Sequence, residues 1–160
     1  MSNPAADRFP VSVIVERRSV ANNRWITECW QVVGIVPGAM AADAATARGL
    51  IHKDETAEQY LWGGFEIALH RDETEGYYYN LLGRQPSVFV VCHRQAAELV
   101  PFLVLASHYE AEAYMDAGEE VFAIPLPPPI YLWLERYVVE HYVPTEKKGR
   151  KRDRWAGGGR

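Results

Sequence analysis

Cysteine is scarce in this chain. There are two, Cys29 and Cys92, far apart and in no CxxC pair. That argues against a disulfide framework and against a thiolate zinc centre. Each lies on an expected strand with apolar neighbours, so both read as buried, reduced thiols. Histidine offers no metal pattern either. His52, His70, His93, His108 and His141 form no HxH, HxxxH or HExxH spacing, and no metal is expected. A GxSxG elbow, a P-loop and a GxGxxG turn are all missing. Gly63-Gly64 lacks the Lys-Ser/Thr that would make it a phosphate loop, and Gly157 to Gly159 is a run near the terminus. No cofactor is therefore expected. No apolar run approaches the ~20 residues of a membrane span. Met1 to Arg8 is polar and has no apolar core of a secretory signal. The expected compartment is the cytoplasm.

What is present suits one globular domain. The chain has 160 residues, 48% hydrophobic and 24% charged, enough for a core without covalent staples. The net charge of −4 is unevenly spread. Residues 146–160 hold seven basic and two acidic side chains, or +5, which leaves −9 for the rest. An acidic body disfavours nucleic-acid binding by the body. The tail remains available to an acidic partner, to RNA or to the body itself.

Hydrophobic patterning predicts an α+β domain over residues 9–145, built mainly of antiparallel strands curled into a barrel or sandwich. Two C-terminal helices pack on it in this reading. Residues 1–8 and 146–160 read as disordered. Phe9, Val11, Val13 and Val15 alternate with Pro10, Ser12, Ile14 and Glu16, a strand whose Pro10 suggests an edge or an entry point. Residues 25–36 are partly apolar on both faces and read as a central strand. Residues 38–57, rich in Ala, Asp, Thr and Gly, lack an apolar stripe and read as a flexible loop. Strands follow near 58–70, 76–82, 88–94 and 102–105. Ser107 to Glu110 fits a capping box, with Gly118 as the left-handed residue past the helix end. A short strand spans 121–124. A helix beginning near Pro129 carries the stripe Ile130, Trp133, Leu134, Tyr137 and Val138.

Few residues suggest chemistry. His70-Arg71-Asp72-Glu73 is the densest polar cluster, readable as an acid–base site or as a solvated hairpin turn. His93-Arg94 would meet it if the strands pair. Tyr77, Tyr78 and Tyr79 place aromatic rings on both faces of an expected strand, with Tyr77 and Tyr79 sharing one face as a recognition surface. The candidate surface is therefore His70, Arg71, Asp72, Glu73, Tyr77, Tyr79, His93 and Arg94, with no catalytic residue assigned. Lys147, Lys148, Arg150, Lys151, Arg152 and Arg154 form a candidate docking tail, or else a solvated one.

Longer stretches carry a family resemblance. They are Phe9 to Arg18, Arg24-Trp25, Trp30, Val36-Pro37-Gly38, Leu69 to Tyr78, Asn80-Leu81, Gln85 to Val91 and Pro101 to Val104. Ser107, Tyr109-Glu110-Ala111, Asp116 to Glu120 and Lys151 to Arg154 continue the pattern. Over about residues 9–154 the chain resembles a bacterial family catalogued as domain of unknown function 3305. The resemblance implies a setting: members are often encoded beside molybdenum-dependent formate dehydrogenases and their maturation factors. It implies a protein partner of that kind and a non-enzymatic accessory role. Some members are labelled molybdenum-cofactor biosynthesis proteins. A guanylyltransferase needs a glycine-rich nucleotide loop on an α/β scaffold, and the sequence has neither. A binder or enzyme for a cofactor precursor is the alternative, with His70, Asp72 and His93 converging in a deep pocket. Nucleic-acid binding by the tail is a third reading.

Overall fold

The computed structural model describes residues 6–20, 27–38 and 48–144. Strands β1 (Arg8–Ser19), β2 (Glu28–Pro37), β3 (Arg48–Lys53) and β4 (Ala57–Ala68) form one antiparallel sheet in the order β2-β1-β4-β3. A single 3-10 turn, Arg71–Glu73, leads into helix α1 (Thr74–Leu82). Then come β5 (Ser87–Gln95), β6 (Glu98–Leu105), helix α2 (His108–Asp116), β7 (Glu120–Pro125) and helix α3 (Pro128–His141). The second sheet is antiparallel with the order β6-β5-β7.

Both sheets contribute to one core. From β1 come Phe9, Val11, Val13 and Val15, the alternation visible in the sequence. Val88, Val90 and Cys92 come from β5. Phe89 and Val91, on the other face of β5, are buried as well. The ring of Phe89 lies 5.7 Å from that of His108 on α2. Burial on both faces explains why β5 is a continuous apolar run rather than an alternating one. Helix α3 adds Ile130, Leu134, Tyr137 and Val138. Trp133 meets Phe9 edge-on, with ring centroids 5.1 Å apart. The two sheets are tied at their margins by Arg48, which lies 4.6 Å over the Tyr60 ring and whose Nη1 donates to both carboxylate oxygens of Glu98 at 2.9 Å.

Several expectations change. The architecture is α+β as expected, and of the two expected forms the described strands, in two sheets sharing a core, are compatible with a sandwich and not with one sheet closed into a barrel. Among the described residues there are three helices, and the extra one, α1, replaces the strand expected over 76–82. Thr74, Tyr77, Tyr78 and Leu81 all face inward, at i, i+3, i+4 and i+7. That helical stripe overrides the β-propensity of three tyrosines. β2, expected to be central, is an edge of its sheet, and β1 is central, so that of the two readings of Pro10 the entry point holds and the edge does not. Pro10 is accommodated near the first residues of β1, its carbonyl accepting from Gly38 at 2.8 Å. The outward Val33 and Val36 of β2 stay exposed. Part of the expected loop 38–57 is strand β3, while residues 39–47 lie outside the described residues. Asp7 and Arg8 belong to the ordered chain: the Asp7 carbonyl accepts from Leu69 at 2.9 Å and Arg8 opens β1. Cys92 is buried, and its thiol is pushed up to about 12 by desolvation, but Cys29 is exposed on edge strand β2. Among the described residues no helix is long and apolar enough to cross a membrane.

The C-terminal punctuation follows the sequence closely. Ser107 caps α2, accepting from the Tyr109 and Glu110 amides. Past the helix end, Glu119 N–H donates to Tyr114 and Gly118 N–H to Met115, with Gly118 at φ 93°. These two bonds are a Schellman motif. Pro128 opens α3 at its first turn.

One side chain joins the helical end to the second sheet. Asn80 Nδ2 donates to the Ser87 and Ala106 carbonyls, both at 2.8 Å, and its Oδ1 accepts from the Ser87 amide at 3.0 Å. Replacing it leaves three backbone groups unpaired. Asn80→Ala is expected to lower the unfolding free energy by about 2–3 kcal/mol, read as a lower urea midpoint at unchanged slope.

Candidate functional site

The 3-10 turn, α1 and the start of α2 converge on a small polar centre. Ser107 is fully buried. Besides capping α2, its hydroxyl donates to Glu73 Oε2 at 2.5 Å. Gly76 permits this approach. A Cβ there would stand 2.4 Å from Ser107 Oγ and 2.5 Å from Glu73 Oε2. Tyr77 is buried beside it, its hydroxyl oxygen accepting from the His70 amide at 2.9 Å. Burial raises the Tyr77 pKa, and the Glu110 and Glu73 charges add to the rise against the His70 amide bond. Glu110 also titrates above the usual carboxylate range. Burial is the main cause, and repulsion from Glu73 and Asp72 adds to it, partly offset by His70.

The arrangement holds two crowded carboxylates, only one of which receives a serine hydroxyl. Chemically it can retain a proton on Glu110 more readily than a free side chain would. It is not a nucleophile–base pair, because the Ser107 hydroxyl donates to Glu73 and accepts two backbone amides. Among the described residues no three His, Cys, Asp or Glu side chains gather as metal ligands.

On the solvent side of Gly76 lies a groove of about 250 Å³ between α1 and the start of α2. Tyr79 and Tyr109 line it at 46% and 54% exposure, with Asn80, Arg84, Gln85 and His108 completing it. Asn80 is saturated by the backbone bonds above. His108 faces Glu112 at 3.0 Å. Tyr79 is hydrogen-bonded to Tyr142, which stacks on Tyr78 at 4.1 Å between centroids and 13° between planes.

The expected surface is only partly assembled. His70, Asp72 and Glu73 do come together, but at a helix start and not in a hairpin turn, and Arg71 is exposed on the same turn. Tyr77 and Tyr79 do not share a face: the first is buried and the second exposed, as helical spacing requires. His93 and Arg94 lie far along β5, about 20 Å of strand from Ser87. There the His93 ring sits 4.8 Å from Phe102 and Arg94 pairs with Glu120 at 2.7 Å. They do not meet the first cluster. The tail residues from Lys147 to Arg154 lie outside the described residues. Sequence reasoning missed Ser107, Glu110, Arg84 and Tyr109 as members of the site. The first two were visible as a helix cap. The other two carried no local signal.

Two substitutions check this geometry. Ala in a helix interior normally gains up to about 1 kcal/mol over Gly. Gly76→Ala is expected to lose about 1–3 kcal/mol instead, because the new methyl overlaps Ser107 and Glu73, seen as a lower melting temperature. For Glu110 the folded pKa lies above the unfolded one. Its favourable contribution is complete below the unfolded pKa and is lost as pH rises through the folded value. Glu110→Gln is therefore expected to raise the melting temperature at pH ~7 by roughly 1–3 °C. The gain should vanish below pH ~4, where the wild-type side chain is protonated in both states. A gain independent of pH would refute the assignment.

Comparison with known proteins adds one match. The sequence pattern of the protein of unknown function family DUF3305 matches residues 10–152. No curated protein matches the chain. No solved structure matches it either. The match covers all but the ends of the sequence, and the chain belongs to the DUF3305 family.

Proposed function

We propose that this protein is a non-enzymatic, cytoplasmic accessory factor that binds a protein partner through the α1–α2 groove. In this reading it supports the assembly, maturation or regulation of a molybdenum-dependent formate dehydrogenase. The observation that carries the binding half is the groove itself: two exposed tyrosines, Tyr79 and Tyr109, stand around a volume of about 250 Å³. Tyrosine supplies large contact area at low entropic cost and is enriched where proteins meet. The volume falls below the 300–1,000 Å³ usual for small-molecule sites. A cofactor precursor would leave much of its surface in water there, whereas a single large side chain fits. His70, Asp72 and His93 share no centre, which removes the acid–base arrangement the enzymatic alternative needs. The formate dehydrogenase setting rests on the family resemblance.

The partner is expected to co-purify. Tagged full-length protein from cells expressing the dehydrogenase and its maturation genes should retain a dehydrogenase subunit or a maturation protein. The double variant Tyr79→Ala, Tyr109→Ala should keep its circular dichroism spectrum and lose about ten-fold or more of that retention, equivalent to ~1.4 kcal/mol. Recovery of neither class of protein by the wild type would reject the proposal.

A further inference from the structure

We infer that the α1–α2 groove receives an aromatic side chain next to a carboxylate, presented by an acidic segment of the partner. The inference rests on the partner-binding reading and names the chemistry that reading leaves open. Inventory of the polar groups around the groove decides the sign of charge. Asn80 is saturated by Ser87 and Ala106. His108 is engaged by Glu112, and the Tyr79 hydroxyl is bonded to Tyr142. Among the described residues Arg84 makes no ion pair, although it borders the groove. Gln85 likewise has no side-chain partner there. The groove therefore offers an uncommitted guanidinium, and its natural complement is a carboxylate, which Arg holds in fork geometry. The tyrosine walls and the small volume select the neighbouring group: one planar ring that stacks or meets them edge-on.

Two short peptides test this: acetyl-Gly-Trp-Glu-Gly-amide and the same peptide with Gln in place of Glu. Each is titrated at low salt into isotope-labelled full-length protein, and backbone amide shifts are read. The Glu peptide should shift the Gly76, Tyr79, Gly83, Arg84 and Tyr109 amides and bind at least about three-fold tighter than the Gln peptide, the scale of one partly screened ion pair. Arg84→Gln should abolish the preference, bringing the two peptides to equal affinity, and Tyr109→Ala should weaken both peptides. Among the described residues the Arg84 side chain makes no hydrogen bond or ion pair, so its variant is expected to fold. Two results would overturn the inference: no saturable shift at these amides up to about 10 mM peptide, or a preference that survives Arg84→Gln. The outcomes separate cleanly from the co-purification. A captured partner with silent peptides overturns only the aromatic-acid chemistry. Responsive peptides without a captured dehydrogenase component overturn only the partner's identity.

Discussion

The close approach of α1 to the corner between β6 and α2 is the constraint on which this end of the molecule depends. Gly76 lets the helix backbone come within side-chain reach of Ser107. Ser107 then bonds a carboxylate on one side and caps α2 on the other. One turn further along α1, Asn80 closes three bonds to the starts of β5 and of the α2 corner. With that side of α1 fixed, Tyr77 must point into the core, where it meets Tyr137 of α3 edge-on at 5.9 Å. Tyr79 must then point outward. The groove is thus a consequence of helix packing: its floor is a glycine and its walls are residues that the same contact turns toward solvent.

Much of the fold was legible in the sequence. The period-two run of β1, the apolar block of β5, the Ser107 cap, the Gly118 stop and the proline-led α3 all appear where their patterns place them. Each is a local rule with a specific residue behind it. The failures share a different character. Whether a strand is central or an edge depends on which partners find it, so the two-sided apolar pattern of β2 pointed the wrong way. The run Tyr77-Tyr78-Tyr79 is ambiguous in isolation, since high β-propensity and a helical stripe coexist in it. The stripe emerges only when Thr74 and Leu81 are counted with the tyrosines.

The candidate site was less legible, for a reason of sequence distance. Residues 70–73 formed a visible polar cluster, but its partners Ser107 and Glu110 lie more than thirty positions later. They advertised themselves only as capping residues. For Ser107 that function is real, and it conceals the second one. His93 misled in the opposite way: it follows an apolar strand as a catalytic residue often does, yet the strand carries it away from the helical end. Arg84 was silent because a lone cation in a turn has no sequence signature. Its meaning comes from what its neighbours already hold.

Chemistry of the polar centre and chemistry of the groove point to different kinds of work. Around Glu73, Ser107 and Tyr77 hydrogen bonds are closed internally, and the residual strain is the crowding of Glu110 against Glu73. Such a centre stiffens a junction, and stiffness matters for binding, because walls already held in place lose little entropy when a partner arrives. Tyr79 is braced by Tyr142, and Tyr142 by Tyr78. The aromatic wall is therefore preorganised by α3. The groove's open valences, Arg84 above all, face outward on that rigid base. A catalytic site inverts this distribution, with uncommitted ionisable groups drawn inward to a shared point. Here commitment lies inside and availability outside, and the proposed partner-binding reading rests on that distribution.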